Sequence, residues 1–150
     1  MNNERTVPYY PTTVDFSLLV VRVIVGAIFA AHGAQKLFGV WGGMGLEKTV
    51  EMMGSPLGYL VTIGEFFGGL GLIFGFLTRF SAASLLVIMF GAIAMVHWAG
   101  GFFAPKGFEY NLALIGLLVP ILLCGPGRYS IAHCLMPKSA RTGRPHIVVE

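Results

Sequence analysis

The residues able to do chemistry are few, and they sit inside apolar sequence. Arg22, His32, Gln35 and Lys36 share one apolar stretch, Glu65 stands in a second, His97 ends a third, and Glu109 and Asn111 open a fourth. A charge at the centre of a bilayer costs at least about 2.5–3.5 kcal/mol, so such residues face the bundle interior and find partners. His32 and His97 are the candidates for moving protons and are taken as catalytic. Gln35, Lys36, Glu109 and Asn111 are candidates for binding a ligand's oxygen atoms. Two histidines on different helices could also hold a haem. That would need matched depth and a wide cleft, and a single pair is thin ground for it. No spacing among the His, Cys, Asp and Glu residues reads as a metal motif. A pump would want a chain of carboxylates through the membrane, and Glu65 is the one deep carboxylate. Cys124 and Cys134, ten residues apart, are not a redox CxxC and read as reduced thiols.

The elements that carry these residues follow from composition. The 150 residues are 55% hydrophobic and 11% charged, with a mean hydropathy of +0.76. An ordinary soluble domain has about 25% charged residues. A soluble enzyme and a disordered chain are therefore both excluded. Four apolar segments, about 16–38, 57–77, 80–100 and 110–129, approach the roughly 20 residues that a membrane-spanning helix needs. Barrel strands would be about half that length and alternate in polarity. The fold class is all-α: an integral membrane, antiparallel four-helix bundle, since short connections make sequential helices neighbours. The stretch 46–53 places Leu46, Val50 and Met53 at helical spacing with Glu47, Lys48 and Glu51 between them. It reads as a surface helix or as an ordered loop.

The chain divides into an arm over 1–15, a membrane domain over 16–131 and a tail over 132–150. Arg5, Arg79, Arg128, Lys138, Arg141 and Arg144 lie on one side of the bundle, and Lys36, Lys48 and Lys106 on the other. Six against three puts both termini in the cytoplasm. The net charge of +3 reflects this asymmetry; no basic face suited to nucleic acid is visible. The polar N-terminus lacks the pattern of a cleaved signal.

Depth can be estimated at about 1.5 Å per residue from each segment's start. Arg22 then lies about 9 Å in from one side and Glu65 about 12 Å from the other. That leaves a gap two long side chains can narrow, and an Arg22–Glu65 ion pair is expected, as a clamp or as a ligand holder. Gly64, Gly68, Gly71 and Gly75 draw a smooth stripe for close helix packing, with Gly26, Ala30 and Gly33 doing the same in the first helix. The stripe could alternatively border a flat ligand. Topology gathers His32, Gln35, Lys36, His97, Glu109 and Asn111 at one mouth, non-cytoplasmic in this orientation. Lys36 and Glu109 could equally be snorkelling interfacial residues, beside belt aromatics Trp41, Trp98 and Tyr110.

The strings RVIVGAIFAAHGAQKLFG, GSPLG, GEFFGGLGLIFGFLTRFSA, HWAGGFF and GPGRYS, over about residues 16–131, resemble the DoxX family of small four-helix bacterial inner-membrane proteins. Arg22, the His32-Gly33-Lys36 set, Glu65 with the glycines after it, Thr78-Arg79 and Gly125-Pro126-Gly127 carry the likeness. The resemblance implies an association with membrane redox systems, including quinone-reducing ones and oxidative-stress complexes. It does not carry a catalytic reaction to particular residues here. Two functions follow as expectations. The first is a redox-linked subunit with a quinone at the polar mouth. His32, Gln35, Lys36 and His97 would then offer donors to the quinone carbonyls, and a soluble or membrane redox enzyme would be the partner. The second is a non-catalytic scaffold that anchors partner proteins in the lipid bilayer. A homo-oligomer is compatible with either. A permease is the weakest alternative, since four helices without a repeat are few for a pore.

Overall fold

The computed structural model describes residues 11–103 and 105–135, and it is all-helical there. The charges counted at Arg5, Lys138, Arg141 and Arg144 lie outside the described residues, as do most of the arm and tail. Helix α1 runs over Pro11–Phe38, α2 over Gly45–Met53, α3 over Leu57–Phe74, α4 over Thr78–Ala92, α5 over Glu109–Cys124 and the short α6 over Ile131–Leu135. Helix α1 thus begins five residues before its apolar run. Helix α4 is extended to Gly100 by a π turn (Ile93–His97) and a 3-10 turn. By length and composition α1, α3 and extended α4 can each cross a membrane. Helix α5 is shorter than its apolar segment because Gly125, at a φ of +81°, stops it after Cys124. Its 16 residues span about 24 Å, and it runs unbroken through Pro120.

Helices α1, α3, α4 and α5 form a ring in that order, with α5 returning to α1. Val25, Phe29, Leu72, Leu85, Leu118 and Ile121 fill the centre with almost no exposure. The outer surface is also apolar: Phe67, Phe80, Val87 and Leu123 point outward. That suits lipid, where helices gain little by burying apolar side chains and associate through close packing instead.

The closest packing is between α1 and α3. A Cβ on Gly33 would overlap the Phe66 backbone nitrogen, one on Gly69 the Ala30 nitrogen, and one on Gly26 would lie 2.7 Å from the Gly69 carbonyl oxygen. Gly69 belongs to this seam, although the expected stripe omits it. Gly64, Gly68 and Gly71 instead meet α4 side chains, at Ile88, Leu85 and Ser81. Gly75 ends α3: at a φ of +68° it allows the Phe76 amide to reach back to the Gly71 carbonyl at 3.0 Å, the geometry of a Schellman stop. Gly33→Ala and Gly69→Ala should each lower the thermal midpoint in detergent by several degrees. Gly91→Ala and Gly116→Ala, where an added Cβ meets nothing within 4 Å, should leave it within a degree or two or raise it slightly. Equal effects at all four positions would show that the seam is not close-packed.

The stretch 46–53 is helical and amphipathic, as one of its two readings had it. Thr49 is fully buried, while Glu47, Lys48 and Glu51 are exposed. Helix α2 packs on the start of α3, where a Cβ on Gly58 would lie 2.7 Å from the Val50 Cα.

Candidate functional site

The glycine seam fixes the register of α1 against α3. Residue 33 lies against 66, 30 against 69 and 26 against 73. Glu65 is therefore level with residue 34, and Arg22 with residue 77. The expected Arg22–Glu65 pair does not form. Twelve residues of helix, about 18 Å, separate Arg22 from the level of Glu65. Counting depth from the ends of apolar runs misjudged this, because it fixed no register between the helices.

Glu65 instead pairs with Lys36. The Lys36 ammonium donates to Glu65 Oε2, and the two side chains keep 26% and 6% of their surface exposed. The Thr62 hydroxyl, one helical turn before Glu65, is fully buried and has no hydrogen-bond partner among the described residues. Arg22 is only 1% exposed. Its Nη1 donates to the Pro126 carbonyl and its Nη2 to the Tyr129 carbonyl. It thereby pins the segment Gly125–Ser130 under the opposite end of the bundle. That end is tied further. The Ala132 amide donates to the Gly75 carbonyl at 3.2 Å, the Arg128 amide to Asp15 at 3.1 Å, and Arg79 to the Leu123 carbonyl at 3.0 Å. The GPGRYS string was legible as a motif; that it supplies carbonyls to a buried arginine was not.

The expected polar mouth lies at the other end, where α1 and extended α4 finish and α5 begins. Its members fall into two groups. On the α1/α3 side are the Lys36–Glu65 pair, exposed His32, and Gln35, whose amide reaches the Trp41 carbonyl at 3.5 Å. The loop after α1 closes on this group: a Cβ on Gly43 would overlap the Gln35 carbonyl. On the α4/α5 side, His97 Nδ1 lies 3.2 Å from the Lys106 carbonyl. Asn111 is buried, with its amide 3.5 Å from the Met89 sulfur. Glu109 is half-buried in the first turn of α5, where the helix dipole favours a carboxylate. Trp98 stacks on Phe108 at 5.8 Å beside this group. His97 closes the π turn, a distortion sequence periodicity does not reveal.

Among the described residues no group of three His, Cys, Asp or Glu side chains is placed to hold a metal ion. Cys124 is a free, exposed thiol, and Cys134 is also exposed. The described polar side chains at the two ends form hydrogen bonds and ion pairs within a bundle of apolar helices.

The DoxX family profile matches residues 17–98, more than half of the chain. The chain belongs to the DoxX family. It is 34% identical over 131 residues to the "Inner membrane protein YqjF" of Escherichia coli (strain K12), covering 83% of this chain and 95% of that one. It is 30% identical over 108 residues to the "Putative oxidoreductase CatD" of Bacillus subtilis (strain 168), covering 69% and 76%. A third relative is the "Uncharacterized membrane protein Rv3486" of Mycobacterium tuberculosis (strain H37Rv), 29% identical over 142 residues, covering 85% and 86%. No solved structure matches the chain. This DoxX protein is an integral membrane protein in contact with the bilayer through its apolar helices.

Proposed function

We propose that this DoxX protein is a quinone-associated subunit of a redox system in a bacterial inner membrane, with both termini in the cytoplasm. The observation that carries the reading is the half-open Lys36–Glu65 pair. Arg22, the cation buried at the far end of the bundle, is sealed at 1% exposure. Lys36 keeps a quarter of its side-chain surface open at the mouth. Its ammonium has donors to spare beyond Glu65, and a ring carbonyl is a fitting acceptor. In this mechanism Lys36 polarises the carbonyl and Glu65 holds Lys36 in place. Gln35 supplies a second donor. His32 delivers protons from the exposed face, and His97, Glu109 and Asn111 line the α4/α5 side. Reduction of the quinone to the quinol takes up two electrons and two protons. A partner redox enzyme supplies the electrons, and this chain supplies the binding site and the proton route. One relative carries the name of an oxidoreductase, in keeping with this assignment.

Titration of the purified protein with a short-chain quinone analogue tests the proposal. Saturable binding is expected, weakened at least tenfold by His32→Ala and by Lys36→Ala, with helical content retained in both. Absence of binding in the wild type would reject the site and leave the bundle as a non-catalytic scaffold for partner proteins.

A further inference from the structure

A groove of about 470 Å³ runs down the outside of the bundle between α3 and α4. It lies away from the mouth, toward the α3–α4 turn, and on the side of α3 opposite the seam with α1. Gly64, Gly68 and Gly71 line its α3 side, where α4 packs close, with Ile88, Leu85 and Ser81 against them. Phe67, Phe74 and Phe80 stand along its edges. Volumes of about 300–1,000 Å³ suit small organic ligands.

Two hydroxyls break this apolar lining. Ser81 and Ser84, three residues apart on one face of α4, are the only polar side chains that line the groove among the described residues. Ser81 is 5% exposed. Its Oγ sits over Gly71, where any Cβ would overlap it. Ser17 and Thr49 satisfy their hydroxyls by folding back on the carbonyl one turn earlier. Ser81 makes no such bond, and its hydroxyl has no partner among the described residues. A hydroxyl left unpaired against hydrocarbon is costly.

We infer that the groove is a second ligand site, for a flat, lipid-soluble ring that carries an oxygen acceptor, as the head of a prenylated quinone does. The phenylalanines along the edges offer ring edges and faces, and Ser81 and Ser84 donate to the ring oxygen. A saturated acyl chain brings no acceptor and would leave Ser81 unpaired. A second copy of the chain fits less well, because its outer faces present Phe, Val and Leu side chains and few free acceptors. This site is independent of the mouth: it shares no residue with Lys36, Glu65 or His32, and it would stand if the mouth bound nothing.

The test is photolabelling of the full-length protein in phospholipid vesicles with a photoreactive short-chain benzoquinone, followed by mapping of the labelled peptides. Label is expected in residues 67–84 and should be competed away by the unlabelled quinone. Ser84→Phe, which plugs the groove, should abolish it. Ser81→Ala, which removes only a hydroxyl, should weaken competition about two- to tenfold, the range of one neutral hydrogen bond. Lys36→Ala should leave label in 67–84 unchanged while removing any label near 32–36 and at Glu65, so the two sites can fail separately. The inference is overturned if 67–84 takes no competable label. It is overturned equally if a photoreactive phospholipid labels the segment as strongly and competes with the quinone. It also falls if Ser84→Phe converts a dimer to a monomer in detergent without changing the quinone label, which would make the groove a contact between copies.

Discussion

Glu65→Ala destabilises the bundle by about 3–5 kcal/mol, the usual cost of leaving one member of a buried ion pair unpartnered. Unfolding in mixed micelles with rising SDS should show the shift, and Lys36→Ala should show the same direction. Lys36 is a quarter exposed, so solvent can reach its ammonium and the loss belongs at the lower end of that range. Removing Lys36 is the more damaging half, since it strands a carboxylate with 6% exposure between two helices. The double exchange Lys36→Glu with Glu65→Lys keeps the number of charges and the combined side-chain reach. It should recover well over half of the loss. The exchange Arg22→Glu with Glu65→Arg should recover nothing, because those positions lie about 18 Å apart along the seam. If the second exchange recovers stability and the first does not, the register of α1 against α3 is wrong. A carboxamide sharpens the test: Glu65→Gln keeps the shape and one acceptor for Lys36, so it should cost less than Glu65→Ala.

That contrast also marks where sequence reasoning reached its limit. The four apolar runs, their order and the amphipathic character of 46–53 follow from composition and periodicity, because lipid demands continuous apolar helices. The gathering of polar residues at one end follows from topology alone. What remained illegible was the rotation and register of one helix against the next. Gly64, Gly68, Gly71 and Gly75 look like a single stripe, yet the first three face α4, while Gly75 is a helix stop. Gly69, between two of them, packs directly on α1 at Ala30. Glycine spacing shows that a helix has a smooth face, but not which neighbour uses it. Once the seam is known, counting puts Glu65 within reach of Lys36 and out of reach of Arg22. The mouth residues were legible as a set, whereas their division between α1/α3 and α4/α5 depends on the ring order of the helices.

Arg22 gives the second large effect, and it is expected at the far end of the bundle from the polar mouth. Its planar fork reaches the carbonyls of Pro126 and Tyr129 together, which the single ammonium of lysine cannot copy. Each hydrogen bond to a charged group contributes about 1.5–3 kcal/mol. Arg22→Lys should therefore cost about 2 kcal/mol. Arg22→Ala should cost about 4 kcal/mol, since it also leaves a void under a side chain that is 1% exposed. The loss should be local first. Hydrogen exchange in detergent should quicken at the Ala132 amide, which bonds the Gly75 carbonyl, and at the His133 amide, which bonds the Ser130 hydroxyl. Amides at the centre of α3 should stay protected until global unfolding. Such a pattern would show that Arg22 acts as a pin for the Gly125–Ser130 segment, not as part of a path through the membrane. Unchanged exchange at Ala132 in Arg22→Ala would remove that role, and the buried cation would need another partner. A loss of quinone binding at the mouth in Arg22→Lys, without faster exchange at Ala132, would contradict the separation of the two ends on which both assignments rest. Among the described residues Arg22 Nε has no partner, as fits a pin: two carbonyls suffice to hold the segment, and Gly75 packs against the guanidinium, where a Cβ would lie 2.7 Å from Nη1.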